Sequence, residues 1–270
     1  MLKTESLYKT FNPETANEVK ALQGIDLELT EGNFVCVLGT NGSGKSTLLN
    51  AVAGTFFPDH GRILLDGKDI THWPEHKRAK YIGRVFQNPF SGTASDMTIA
   101  ENLAMATRRG QPRGLNQALH KSFLADFADR VKPLNMKLEE RLENPIGKLS
   151  GGQRQALTLL MATWRKPKLL LLDEHTAALD PKTAARVIQL TEEVVKKDKL
   201  TTLMVTHSMQ QAVNLGNRIL MMHNGKIAYD FSAEDKKRLK VNDLLALFDE
   251  IRRKEQIDPT VSEFLERNYV

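Results

Sequence analysis

The chain holds 270 residues, 41% hydrophobic and 26% charged, a balance that excludes a disordered or fibrous protein and suits a soluble globular chain of one or two domains. No apolar run reaches the ~18 residues of a membrane span, and the opening Met1-Leu2-Lys3-Thr4-Glu5 lacks a signal-peptide core. The lone Cys36 excludes an internal disulfide or a zinc–thiolate cluster and points to a reducing cytoplasm, while a net charge of +5 permits an anionic partner without arguing for one.

Ile25, Leu27 and Leu29 alternate with Asp26 and Glu28, the pattern of a strand with one buried face. Phe34-Val35-Cys36-Val37-Leu38 is apolar throughout, as in a parallel strand covered on both sides. Gly39-Thr40-Asn41-Gly42-Ser43-Gly44-Lys45-Ser46-Thr47 follows at once, a G-x-x-x-x-G-K-[ST] pattern that opens a helix expected over Lys45–Ala53 and ended by Gly54. Glycines there let backbone N–H groups curl around triphosphate oxygens, and the helix N-terminus adds its positive dipole end. Lys45 can reach the β and γ phosphates of ATP, and the Ser46 hydroxyl can ligate Mg²⁺. Arg62-Ile63-Leu64-Leu65 then meets Asp66-Gly67, a hairpin signal.

Residues 91–148 change character and are expected to form a helical insertion. Leu103, Met105, Leu119, Phe123, Leu124, Phe127 and Val131 fall mostly at helical spacings, broken by a Gly/Pro/Arg loop over 108–114. Next comes Leu149-Ser150-Gly151-Gly152-Gln153, in which Ser150 and Gln153 make a capping-box pattern ahead of the apolar stripe Ala156, Leu157, Leu160, Met161 and Trp164. This reads either as a well-capped helix alone or as a second phosphate-binding helix N-terminus. One chain needs one cradle, so the second would serve another subunit's ATP.

Strand–helix alternation then returns, with a strand over 168–172, a helix over 183–197 and a strand over 201–206, which indicates a parallel sheet with crossover helices. The first of these strands runs into Asp173-Glu174 at the carboxyl edge of the sheet. Asp173 suits Mg²⁺, and Glu174 suits the general base for an attacking water. Segments 218–222 and 226–229 close a hairpin through Asn224-Gly225, and Leu244, Leu245, Phe248 and Ile251 are expected on one helical face packed against the body.

In this order the motifs resemble the nucleotide-binding subunit of an ABC (ATP-binding cassette) transporter, over about residues 2–229. The resemblance implies an α/β P-loop NTPase with a RecA-like parallel-sheet core, an antiparallel β subdomain and an inserted α-helical subdomain. It implies an ATPase domain over 1–235 and a helical extension over 236–270. Gln87, in Val85-Phe86-Gln87-Asn88-Pro89, matches the Q-loop that contacts Mg²⁺ or water and leads toward the membrane subunit. Asp180 matches the D-loop, His207 the switch histidine at the γ-phosphate, and Phe11 the ring that stacks on adenine. On this reading Glu174, His207 and Gln87 are catalytic, and Ser46, Gln87 and Asp173 serve the metal. Gly39, Asn41, Gly42, Ser43, Gly44, Lys45, Ser46 and Thr47 hold the nucleotide in one chain, while Ser150, Gly151, Gly152, Gln153 and Asp180 meet it from the other. From the residues alone, Asp180-Pro181 also reads as a helix N-cap with proline at the first position, His207 as structural, and Phe11 as a surface aromatic.

Two departures stand out: His175 occupies the place of the usual proline after the catalytic glutamate, and residues 12–18 lengthen the loop after Phe11. The Asp-Glu-His-Thr variant looks like a small branch of importer ATPases linked to aromatic amino acids. The resemblance implies a homodimer or paired cassette at the inner face of the cell membrane, beneath separate permease subunits. A substrate-binding protein is expected if it imports, and nucleic acid is not. Import and export share these motifs. A soluble ABC protein acting on DNA or ribosomes would carry paired cassettes, coiled coils or zinc cysteines, and a P-loop nucleotide kinase would lack the 149–153 signature. Phe90, Met97 and Ile99, just after Gln87, read either as exposed apolar residues that dock the permease or as residues packed inside the insertion.

Overall fold

The computed structural model describes residues 1–111 and 121–256. Strands β1 (Leu2–Phe11) and β2 (Val19–Leu29) open the chain, followed by β3 (Phe34–Gly39) and helix α1 (Lys45–Ala53). Next come β4 (His60–Leu65), β5 (Lys68–Asp69), α2 (Glu75–Arg78), β6 (Ile82–Val85), α3 (Ile99–Thr107), α4 (Lys121–Val131) and α5 (Gly151–Thr163). The chain continues through β7 (Leu169–Asp173), α6 (Pro181–Asp198), β8 (Thr201–Val205) and α7 (Met209–Asn214). Strands β9 (Arg218–His223) and β10 (Lys226–Phe231) and helices α8 (Ala233–Lys236) and α9 (Val241–Gln256) complete it.

The strands form two sheets. An antiparallel sheet runs β2-β1-β4-β5, and a six-stranded sheet runs β10-β9-β3-β8-β7-β6, parallel except where β10 folds back on β9. Central strands β3, β7 and β8 are buried at every position, as their unbroken apolar runs require. Alternation along a strand sends side chains to opposite faces, so each strand feeds two cores. Cys36, Leu38, Leu170 and Leu172 join the core under α3 and α5, while Val35, Val37, Leu169 and Leu171 face α1 and the antiparallel sheet.

Both hairpin turns take consecutive positive φ angles, 50° and 73° at Asp66-Gly67 and 45° and 71° at Asn224-Gly225. Helix α1 starts and stops at the expected residues, with Gly54 left-handed at its C-cap. Beside that cap lies Arg78, fully buried, donating to the carbonyls of Ala51, Val52, Thr71 and Trp73.

One expectation needs correction, and the structure decides between the two readings of the residues after Gln87. Leu244 and Ile251 of α9 are buried with Leu247 and Phe248 packed beside them, but Leu245 is 45% exposed. The face is therefore 244/247/248/251, the i, i+3, i+4, i+7 stripe of a surface helix. Ile99 is not exposed: it is the first residue of α3, buried just past the Thr98–Glu101 capping box. Met97 is half-buried, which leaves Phe90, at 55% exposure, as the outward-facing apolar residue of the three. Leu119 and residues 112–114 of the expected loop lie outside the described residues.

Candidate active site

The loop between β3 and α1 is shaped by what it cannot hold. A Cβ at Gly39 would overlap the Met222 carbonyl and Ser43 Oγ, and one at Gly44, with φ of +97°, would overlap the Ala21 carbonyl. The loop is thus pressed against the start of β2 and the β9–β10 hairpin, where Gly225 N donates to Ser43 O at 3.1 Å. Asn41 and Gly42 face outward, Gly42 with φ of +79°. Lys45 is only 5% exposed and reaches back across the loop, its Nζ donating to Gly39 O at 2.9 Å and Thr40 O at 2.8 Å. Burial lowers its pKa, opposed by the nearby charges of Glu174 and Asp173.

Ser46 Oγ donates to Asp173 Oδ1 at 3.1 Å, so the first turn of α1 touches the end of β7. A hydroxyl and a carboxylate side by side are hard oxygen donors and fit Mg²⁺ better than a soft metal. Arg84 of β6 approaches Asp173 Oδ2 at 3.8 Å and also bonds Asn50 of α1. Burial holds the Arg84 pKa below its ordinary value, with Asp173 acting against that. The sequence reading did not find Arg84, because one arginine in a short strand carries no signal of its own.

Three loops, after β6, β7 and β8, converge on Glu174. Gln87 Nε2 donates to Glu174 Oε2 at 3.0 Å, and His207 Nε2 lies 2.6 Å from Glu174 Oε1. Glu174 itself has φ of +44°, uncommon for a residue with a side chain, and its N–H donates to Val205 O at 3.0 Å. The next residue, His175, is 2% exposed, with Nε2 3.0 Å from Thr191 Oγ1 in α6. The Thr191 hydroxyl donates to Val187 O, so it accepts from His175 and fixes the Nε2–H tautomer. Burial pushes the His175 pKa down to about 4, which keeps the ring neutral near pH 7.

Ser150 caps α5 through the full capping box, and Asp180 caps α6 with Pro181 at its first position. The two signature glycines differ. A Cβ at Gly152 would overlap Thr183 Cγ2 of α6, so Gly152 is a packing position. Gly151 is half-buried, and a Cβ there would meet only Leu179 Cδ2 at 3.4 Å, an ordinary contact. Gln153 takes part in the box and also reaches Met136 O. Thr47 is half-buried in α1. Phe11, last in β1, pairs with Val19 and packs edge-on against Phe56 at 5.4 Å, with the Lys9 ammonium 5.6 Å from its ring.

An apolar groove of about 370 Å³ lies beyond the Gln87 loop, lined among others by Ala53, Phe86, Ser91, Met105, Met161 and Ala162. Phe90, on the same loop, lies under the buried guanidinium of Arg154, 4.0 Å from the ring centre.

Residues 22–177 match the family described as ABC transporter. The chain is 39% identical over 250 residues to a tyrosine transport ATP-binding protein of Clostridioides difficile, covering 92% of this chain and 99% of that protein. It is 36% identical to a spermidine/putrescine import ATP-binding protein of Shigella flexneri, over 78% of this chain and 53% of that one. With a sulfate/thiosulfate import ATP-binding protein of Caulobacter vibrioides it shares 38% identity, over 77% and 59% of the two chains. It therefore spans little more than half the length of these last two relatives. A dimeric ATP-binding cassette solved in a post-hydrolysis state with ADP and phosphate superposes with a TM-score of 0.73 at 27% identity, over 86% of this chain and 99% of that one. A nucleotide-free cassette from an ABC transporter gives 0.72 at 26% identity over 97% of both chains.

Proposed function

Because the chain belongs to the ABC transporter family, as its ATP-hydrolysing, energy-coupling subunit, we propose that two copies close head to tail and drive import through separate permease subunits. The observation that carries this reading is the convergence of Gln87 and His207 on the Glu174 carboxylate, beside the Ser46–Asp173 pair. In the proposed site, Lys45 and the N–H groups of residues 42–45 hold the phosphates, and Ser46, Asp173 and Gln87 hold Mg²⁺. Bound there, Mg²⁺ would neutralise negative charge on the phosphates. Glu174 takes the proton of the attacking water, and His207, on the other carboxylate oxygen, orients it toward the γ-phosphate. Phe11 contributes a ring for the adenine. The similarity to a tyrosine transport protein, spanning nearly the whole chain, supports an aromatic amino acid as cargo.

No helix among the described residues is long and apolar enough to cross a membrane, so in this reading the permease is a separate chain, met at the inner membrane face. The groove beside Gln87 is the proposed seat for a short permease helix. An apolar lining next to a residue that touches Glu174 can pass a movement between the two. A substrate-binding protein would deliver the cargo. Residues 1–235 form the proposed ATPase domain, and 236–270 its extension.

The head-to-tail site is tested by mixing two variants. Lys45→Ala removes a charge-assisted contact to phosphate and is expected to weaken Mg-ATP binding about 10–100-fold. Gly151→Asp puts a carboxylate at the first position of α5, where this chain has room and its helix dipole tolerates it. It also puts negative charge where the other copy's γ-phosphate must approach. Each variant alone should be inactive, Gly151→Asp with ATP binding retained. Mixed, they form heterodimers with one intact site of two, and activity returns. Heterodimers verified by mass that show no hydrolysis would overturn the shared site. Gly152→Asp cannot serve here, since its side chain would collide with Thr183 inside its own chain.

A further inference from the structure

Glu174 and His207 sit on separate loops, and a 2.6 Å contact between their side chains needs both loops held in register. Immediately before His207, Thr206 is buried, and so is Thr176, two residues after Glu174. Between them stands the side chain of Gln211, in α7. Thr206 Oγ1 donates to Gln211 Oε1 at 2.7 Å, and Gln211 Nε2 donates to Thr176 Oγ1 at 3.3 Å. The carboxamide therefore uses one end on each loop. Its own backbone is fixed, because Gln211 N donates to Ser208 Oγ at 3.2 Å in the cap of α7, and Ala212 beside it is buried in the core. Ser208 N in turn donates to Thr206 Oγ1 at 3.1 Å, so that hydroxyl is engaged on both sides. The path from Glu174 through Thr176, Gln211, Thr206 and His207 closes on itself at the Glu174–His207 contact.

We propose that Gln211 is a positioning residue, a clasp that sets the distance between the Glu174 loop and the His207 loop for hydrolysis. The inference rests on Glu174 being the base. Catalytic geometry is steep, with about 1 Å of misplacement able to cost ~100-fold. Two other ties, Glu174 N–H to Val205 and His175 to Thr191, also hold the carboxylate loop, so loss of the clasp gives a partial defect.

Gln211→Met keeps the volume and removes both bonds. In the full chain it should lower kcat about 10-fold while KM and the Kd for Mg-ATP stay within about twofold. Gln211→Glu, whose carboxylate can accept from both threonine hydroxyls, should recover most of the loss. A merely packing role predicts the opposite order, with Met tolerated and the half-buried charge of Glu harmful. Thr176→Val cuts the same bridge from the other loop, carries the same expectation if Gln211→Met fails to fold, and should add nothing in the double variant. Wild-type kcat in both Gln211→Met and Thr176→Val would overturn the clasp. That outcome is distinguishable from failure of the base assignment, which would appear as wild-type turnover in Glu174→Gln whatever the Gln211 variants do.

Discussion

Replacing Glu174 by glutamine is expected to leave Mg-ATP affinity intact and to cut turnover about 10²–10⁴-fold, the range for a lost general base. Shape and hydrogen bonding change little, because the amide oxygen can still accept from Gln87 Nε2 or face His207. Basicity is what disappears. Binding should survive because the proposed phosphate contacts lie on Lys45 and the N–H groups of residues 42–45, none of which bonds Glu174. Binding without hydrolysis should accumulate a nucleotide-bound dimer. Single-turnover hydrolysis, together with sedimentation in Mg-ATP, checks both halves. Wild-type turnover would move the base to another group.

The second large effect falls on stability. Arg78→Met should destabilise the fold by about 3–5 kcal/mol, since each buried carbonyl left without a donor costs ~1–3 kcal/mol and relief of the arginine's own desolvation offsets part of the sum. Of the four carbonyls this guanidinium bonds, Ala51 O also accepts from the Gly54 N–H at 3.2 Å, so the cost falls on Val52 O at the end of α1 and on Thr71 O and Trp73 O. Burial pushes the Arg78 pKa down to about 10, still well above neutrality, so all its donors remain in place at pH 7. Gly54 at the α1 C-cap leaves the space, as a Cβ there would stand 2.8 Å from Arg78 Nε. Urea melts of the variant and of Arg78→Lys, which keeps the charge but loses the fork, measure the cost. A variant within about 1 kcal/mol of the parent would mean that the carbonyls find other donors.

How far the fold could be read from residues depended on whether a pattern survived intact. Helix α1 and strand β3 were legible because a buried apolar run meets a glycine loop whose constraints are local. Strand β1 was not. Its register shifts between Thr4 and Leu7, with Ser6 at φ of 43°, so the buried set changes parity from Leu2 and Thr4 to Leu7 and no alternation can be seen. Docking and packing could not be separated for Ile99, because what buries a residue just inside a capping box is the distant partner segment at residues 142–146. In the candidate site each motif residue could be named singly. Their meeting could not, because the strand order β3-β8-β7-β6 brings into contact residues that lie 33 to 127 positions apart. Gln211 and Arg84 belong to no motif and appear only through their partners.

The overlap that excludes a side chain at Gly152 has a mechanical meaning. Thr183 closes the gap to Gly152 with its methyl group while its N–H donates to Asp180 Oδ1 at 3.0 Å. Ser150 and Asp180 thus stand on helix ends that share one joint, and neither turn can shift without pushing the other. Further along α6, Thr191 holds His175, and with it the loop of Glu174 in the same chain. In a head-to-tail pair, what arrives at the signature turn belongs to one nucleotide, and what hangs from α6 acts on the other. The two sites of such a pair are joined by packed, load-carrying structure rather than by proximity, and that is the physical condition for cooperative turnover.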